Sequence, residues 1–168
     1  MRLTIHHFDD EPENISSLRD NLFHILLSIE PDWVSLSECI ISDDDTAPYT
    51  FTVTPPNQDA IEITYRIYAD SESFCEDASL NANDIVLLDA IERGPAGEPN
   101  EGVRRCICKA VEAGIDPSRF FLMSAFVDGL PADIKESFLS ECIIKKPFNL
   151  NNVAKGILRL CGVDLKLS

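Results

Sequence analysis

Basic side chains are scarce in this chain. Fourteen Lys and Arg stand against 29 Asp and Glu in 168 residues, a formal charge of −15. A nucleic-acid backbone selects a basic face, so nucleic acid is excluded as an expected partner, and an anionic membrane surface with it. Long apolar runs are also missing. None approaches the roughly 20 residues that a membrane span needs, so no membrane association is expected. The opening segment, Met1-Arg2-Leu3-Thr4-Ile5-His6-His7-Phe8, runs straight into acid at Asp9 and has neither a signal-peptide core nor a cleavage site. The six cysteines (Cys39, Cys75, Cys106, Cys108, Cys142, Cys161) show no zinc spacing and no C-x-x-C pair. Reduced thiols in a cytoplasm are therefore expected. There is no repeat and no long linker. What remains is a globular composition, 45% hydrophobic and 26% charged. It suits a single domain over residues 1–168, with the acid excess serving solubility.

The chain is organised around Ile85-Val86-Leu87-Leu88-Asp89. Four apolar residues without alternation read as a strand buried on both faces, the centre of a parallel sheet. Asp89 then stands at the strand's carboxyl end, the edge where open α/β sheets bind ligands. Residues 3–8 read as a first strand, followed by a helix over about 12–28. Pro12 suits its first turn, and Ile15, Leu18, Leu22, Ile25 and Leu26 share one face. Residues 31–60 form a β-rich insert. Trp33, Val34, Leu36, Ile40 and Ile41 are apolar, but Asp43-Asp44-Asp45 and Pro48 break the segment. Tyr49, Phe51 and Val53, then Ile61, Ile63, Tyr65 and Ile67, alternate with polar residues around a Pro/Asn turn. This is a hairpin pattern, with the second arm continuing as the second parallel strand. A short helix over 71–80 precedes the central strand, and Arg93-Gly94-Pro95-Ala96-Gly97 reads as a loop. A helix capped by Asn100 ends at Gly114. Arg119 to Ser124 is the fourth strand, Pro131 opens a short helix, and Cys142 to Lys145 is the fifth strand. A last helix runs from Asn149 to Gly162. The fold class is thus α/β: a five-stranded parallel sheet, doubly wound, with an inserted β-hairpin between the first helix and the second strand.

Right-handed crossovers bring every parallel strand's carboxyl end to one edge. That edge carries Asp9 and Asp10 from the first strand, Asp89 from the third, Ser124 from the fourth and Lys146 from the fifth. Several carboxylates at one point repel one another unless a cation joins them, and hard oxygen ligands select Mg²⁺ or Mn²⁺. Lys146 offers a point charge suited to a phosphoryl group, and Ser124 a hydroxyl. Such a set around a nucleophilic carboxylate suits an aspartyl phosphate.

Four segments carry a resemblance. Phe8-Asp9-Asp10-Glu11-Pro12, Ile85-Val86-Leu87-Leu88-Asp89, Leu122-Met123-Ser124-Ala125 and Lys146-Pro147-Phe148 resemble, in order, the motifs of the receiver domain of two-component response regulators. The likeness covers residues 1–30 and about 61–162 and implies a flavodoxin-like receiver fold. It implies that Asp89 accepts a phosphoryl group from a histidine kinase or phosphotransfer protein. It further implies that Asp9, Asp10, Asp89 and the backbone carbonyl of Ile91 hold Mg²⁺, with Ser124 and Lys146 meeting the phosphoryl oxygens. The chain would be a switch rather than an enzyme, signalling to a downstream protein by contact. Two departures stand out. Glu92-Arg93 replace the usual Met-Pro, and Ile143 stands where receivers commonly carry an aromatic switch residue. These keep an alternative open, a receiver-like protein-binding module that works without phosphate. The hairpin's apolar face would extend the core or form a homodimer surface.

Overall fold

The computed structural model describes residues 1–9, 12–29, 34–36, 48–55, 58–90 and 100–163. Asp10, Trp33, the Asp43-Asp44-Asp45 run, Ile91 and Glu92-Arg93 lie outside the described residues, as do the side chains of Ile15 and Leu26.

Strand β5 (Ile85–Asp89) is buried at every position. It lies between β1 (Arg2–Phe8) and β6 (Phe120–Ser124), parallel to both. Beyond β6 comes β7 (Ile143–Lys145), and beyond β1 comes β4 (Ile61–Tyr68), again parallel. Strand β3 (Tyr49–Val53) then pairs antiparallel with β4, and β2 (Val34–Leu36) antiparallel with β3. The order is β2-β3-β4-β1-β5-β6-β7.

Five parallel strands are therefore present, and the two period-2 runs pair as read. The expected five-stranded parallel sheet needs one correction: the insert continues that same sheet, which among the described residues is seven-stranded and mixed. β2 spans three residues, too short for alternation to reveal it.

An unbroken apolar strand is required because its successive side chains feed two cores. Ile85 and Leu87, with Leu3 and Ile5, meet Leu18, Leu22 and Ile25 of α1 (Pro12–Ile29) and Ala154, Ile157 and Leu158 of α5 (Leu150–Leu160). Val86 and Leu88, with Phe8 and Leu122, meet the other three helices on the opposite face. These contribute Phe74 from α2 (Ser71–Asp77), Val103, Cys106 and Ile107 from α3 (Glu101–Glu112), and Ile134 from α4 (Ala132–Glu136). Each Val, Leu, Ile or Phe among them contributes roughly 1.5–3 kcal/mol relative to exposure.

Local chemistry sets the helix ends. Asp70 caps α2 by accepting the Ser73 N–H at 2.7 Å, and Asn149 caps α5 by accepting the Asn152 N–H at 3.2 Å. Asn100 does not cap α3 as expected. It adopts a left-handed φ of 68°; its carbonyl accepts the Arg104 N–H at 3.1 Å, but its side chain makes no capping bond and its Oδ1 is buried without a partner. Gly114 and Gly162, at φ 71° and 83°, terminate their helices where a side chain would be strained. Arg119 donates to the carbonyls of Asn83 and Leu160, tying the start of β5 to the end of α5. Among the described residues, no helix is long and apolar enough to cross a membrane.

Candidate functional site at the carboxyl edge of the sheet

Parallel register delivers β1, β5, β6 and β7 to one edge. Asp9 follows the last residue of β1 and is held in line by its own N–H, which donates to the Tyr68 carbonyl at 3.3 Å. Asp89 ends β5 opposite Met123. Ser124 ends β6 opposite Lys145. Lys146 follows β7 directly, and its N–H donates to the Ser124 carbonyl at 2.8 Å. The Lys146–Pro147 peptide bond is cis.

The side chains converge on one ammonium. Lys146 Nζ lies 3.0 Å from Asp9 Oδ2 and 3.0 Å from Asp89 Oδ1. Asp9 is 1% exposed and Asp89 8%, so both carboxylates have left most of their water and depend on such a partner. Burial alone would lower the Lys146 pKa. Asp89 and then Asp9, by charge and hydrogen bonding, outweigh burial and hold it above the ordinary lysine value. The Ser124 hydroxyl oxygen is buried at the same edge and accepts the Phe126 N–H at 3.1 Å.

The structure thus brings Asp9, Asp89 and Lys146 into direct contact and sets Ser124 on the neighbouring strand end. Asp10 and Ile91 lie outside the described residues. Among the described residues, no group of three or more His, Cys, Asp or Glu gathers as a metal site. The donors that are described still fit a hard divalent cation. Two carboxylates already share one positive centre, and oxygen is the ligand type that Mg²⁺ and Mn²⁺ select.

A cleft of about 350 Å³ opens beside Lys146, lined by His7, Asp9, Met123, Ala125, Pro147, Phe148 and Leu150. His7 is the residue sequence reasoning placed least well. Adjacent histidines on a strand predict that one faces the core as a satisfied neutral side chain, and His6 is the one found with partners on both ring nitrogens. It is buried, with Nδ1 3.0 Å from the Tyr68 hydroxyl and Nε2 3.4 Å from Asp84. His7 is buried as well, on the opposite face, with Nδ1 2.7 Å from the Tyr65 hydroxyl and Nε2 without a partner. Burial first, and the Lys146 ammonium second, hold its pKa down to about 3. The signal for its position was period two: Ile5, His7 and Asp9 point the same way from β1. Burial likewise raises the Tyr65 pKa, with Arg19 opposing and Asp9 reinforcing the shift.

No protein-family model matches this chain, and no curated protein matches it either.

Proposed function

We propose that this chain is a phospho-accepting switch of the response-regulator receiver kind, with Asp89 as acceptor. The observation that carries the reading is the meeting of Asp9 and Asp89 on the Lys146 ammonium at the carboxyl edge of a parallel sheet. The strand order agrees with it. Taken in chain order, the parallel strands lie second-first-third-fourth-fifth, the flavodoxin-like arrangement, whose ligands sit at that edge. On this reading β2 and β3 are an insert into the receiver fold.

In the proposed step a carboxylate oxygen of Asp89 attacks the phosphorus of a phosphohistidine or an acyl phosphate. A P–O bond to Asp89 forms as the bond to the donor breaks, and imidazole or carboxylate leaves. Lys146 offsets the charge on the phosphoryl oxygens, and the Ser124 hydroxyl donates to one of them after turning from its bond with the Phe126 N–H. A Mg²⁺ ion, or Mn²⁺, held by Asp9, Asp10, Asp89 and the Ile91 carbonyl would supply further charge neutralisation. Phosphorylation biases a two-state surface toward a form that binds a downstream protein. A cytoplasmic setting with a histidine kinase or phosphotransfer protein as donor belongs to the same proposal. The insert's apolar face, as core extension or homodimer surface, is part of it too.

The test is acetyl phosphate with Mg²⁺, read by intact mass and by phosphate-affinity electrophoresis. One phosphoryl group per chain is expected, and none in Asp89→Asn. Absence of an adduct, or an adduct retained in Asp89→Asn, would falsify the reading. Self-dephosphorylation is expected to be slow. The residues two beyond Asp89 and two beyond Ser124 are Ile91 and Phe126, and neither side chain can orient an attacking water. A pulse-chase should give a lifetime of minutes or longer, and decay within seconds would contradict it.

One observation favours the phosphate-independent module instead. Ile143, at the position of the usual aromatic switch, packs half-buried against the core that α2, α3 and α4 share, where a rotating ring would otherwise report the acceptor's state. Partner binding unaltered by Asp89→Asn would select that reading.

A further inference from the structure

Cys75 and Cys106 stand 31 residues apart in sequence, yet their sulfurs lie 4.0 Å apart where α2 packs on α3. The helices approach closely here. A Cβ added at Gly102 of α3 would fall 2.4 Å from the Ser71 hydroxyl of α2. The two thiols differ in setting. Cys106 is fully buried, and burial first, then the neighbouring Cys75, push its pKa far up. Cys75 is half-buried and lines a cleft of about 560 Å³ together with Arg104, Arg105, Lys109 and Cys108. Lys109 is anchored beside it, its ammonium donating to the Cys75 carbonyl. A peroxide can reach the thiol that lines the cleft, whereas a buried thiol stays protonated and inert until a partner presents itself.

We infer that Cys75 and Cys106 form an oxidisable dithiol site, in which a hydroperoxide acts on Cys75 and Cys106 resolves the product into a disulfide joining α2 to α3. The Cys75 thiolate attacks one oxygen of hydrogen peroxide. The O–O bond breaks, hydroxide leaves, and a sulfenic acid forms. Cys106 sulfur then attacks the sulfenic sulfur. The S–S bond forms, the S–O bond breaks, and the hydroxyl departs with the Cys106 proton as water. In sum, two thiols and one peroxide give one disulfide and two waters. A disulfide places its sulfurs about 2.05 Å apart, so the two sulfurs, now 4.0 Å apart, must close by about 2 Å. The site lies on the helical layer opposite α1 and α5 and is independent of any phosphoryl chemistry.

The experiment uses the full chain carrying Cys108→Ser, because trypsin leaves Cys106 and Cys108 together on the peptide of residues 106–109. The folded protein is treated with hydrogen peroxide, its remaining thiols are alkylated, and it is digested without reductant. The peptide of residues 67–93 should appear joined to that of residues 106–109, two hydrogens lighter than their sum and released by dithiothreitol. Free thiols should fall by two. Adding Cys106→Ala should abolish the cross-link and leave Cys75 as sulfinic acid, whereas adding Cys75→Ser should leave Cys106 unoxidised. Over-oxidised Cys75 with alkylatable Cys106 in the Cys108→Ser protein would overturn the inference. So would an unreacted pair, or Cys75 joined to Cys39, Cys142 or Cys161.

Discussion

Lys146→Met is expected to cost about 3–5 kcal/mol of folding stability, the range found when one partner of a buried ion pair is removed. The loss comes from what stays behind rather than from the missing contact. Asp9 and Asp89 keep their burial while the ammonium that lay 3.0 Å from each is gone. Like charges and desolvation then push at least one carboxyl's folded-state pKa above its unfolded value. In the variant the native state consequently binds more protons than the unfolded chain above about pH 4, the unfolded carboxyl value. The deficit should grow as pH rises through that window and shrink toward acid. Adding Asp89→Asn removes one of the two like charges and should restore more than half of the loss, a coupling that a double-mutant cycle measures directly. Urea unfolding at pH 5 and pH 8 gives both results. A midpoint equal to that of the parent at both values would show that the ammonium is not supporting the pair.

His7 should dominate the acid limb of stability. Its folded pKa of about 3 lies below the ordinary 6.5. Between those values the unfolded chain binds a proton that the native state refuses, so stability falls as pH falls, by about 1.4 kcal/mol per pH unit. Across the window the loss is on the order of 5 kcal/mol. His7→Phe combined with Tyr65→Phe takes out the titrating ring and the hydroxyl that would lose its partner. The pH dependence of unfolding between pH 6 and pH 4 should flatten by the equivalent of one proton. An undiminished slope would assign the acid limb to other groups. The same substitution leaves Lys146 with a less polar neighbour and lines the adjacent cleft with a ring in place of the unpaired Nε2.

The parallel part of the sheet was legible because each strand carries its own signal. The Ile85 to Leu88 run has no alternation, the 61–67 run alternates strictly, and helices with clear stops lie between most of them. Asp9, Asp89 and Lys146 can be grouped from sequence, since strands alternating with helices run parallel and end at one edge. Three features were not legible, for distinct physical reasons. The lateral growth of the sheet depends on β2, whose pairing with β3 is a tertiary event and not a local preference. The left-handed Asn100 looks like an ordinary cap in sequence, because nothing in residue type distinguishes a capping amide from one tolerated at positive φ. The proximity of Cys75 to Cys106 arises from how two helices pack across a gap closed by Gly102 and Ser71, and spacing rules for cysteine motifs address only local chelates. Ile143 shows the opposite case. Its departure from the motif that the chain otherwise resembles is plain in sequence, and the structure adds its half-buried packing.

The sheet's outermost strands, β2 and β7, each span three residues. An outer strand offers unpaired amides and carbonyls to any chain that can lie alongside, and brevity limits that offer. Among the described residues, a copy or a partner trying to extend the sheet would find about one turn's worth of ladder on either flank. The two flanks therefore present, among the described residues, little ladder on which the sheet could be continued.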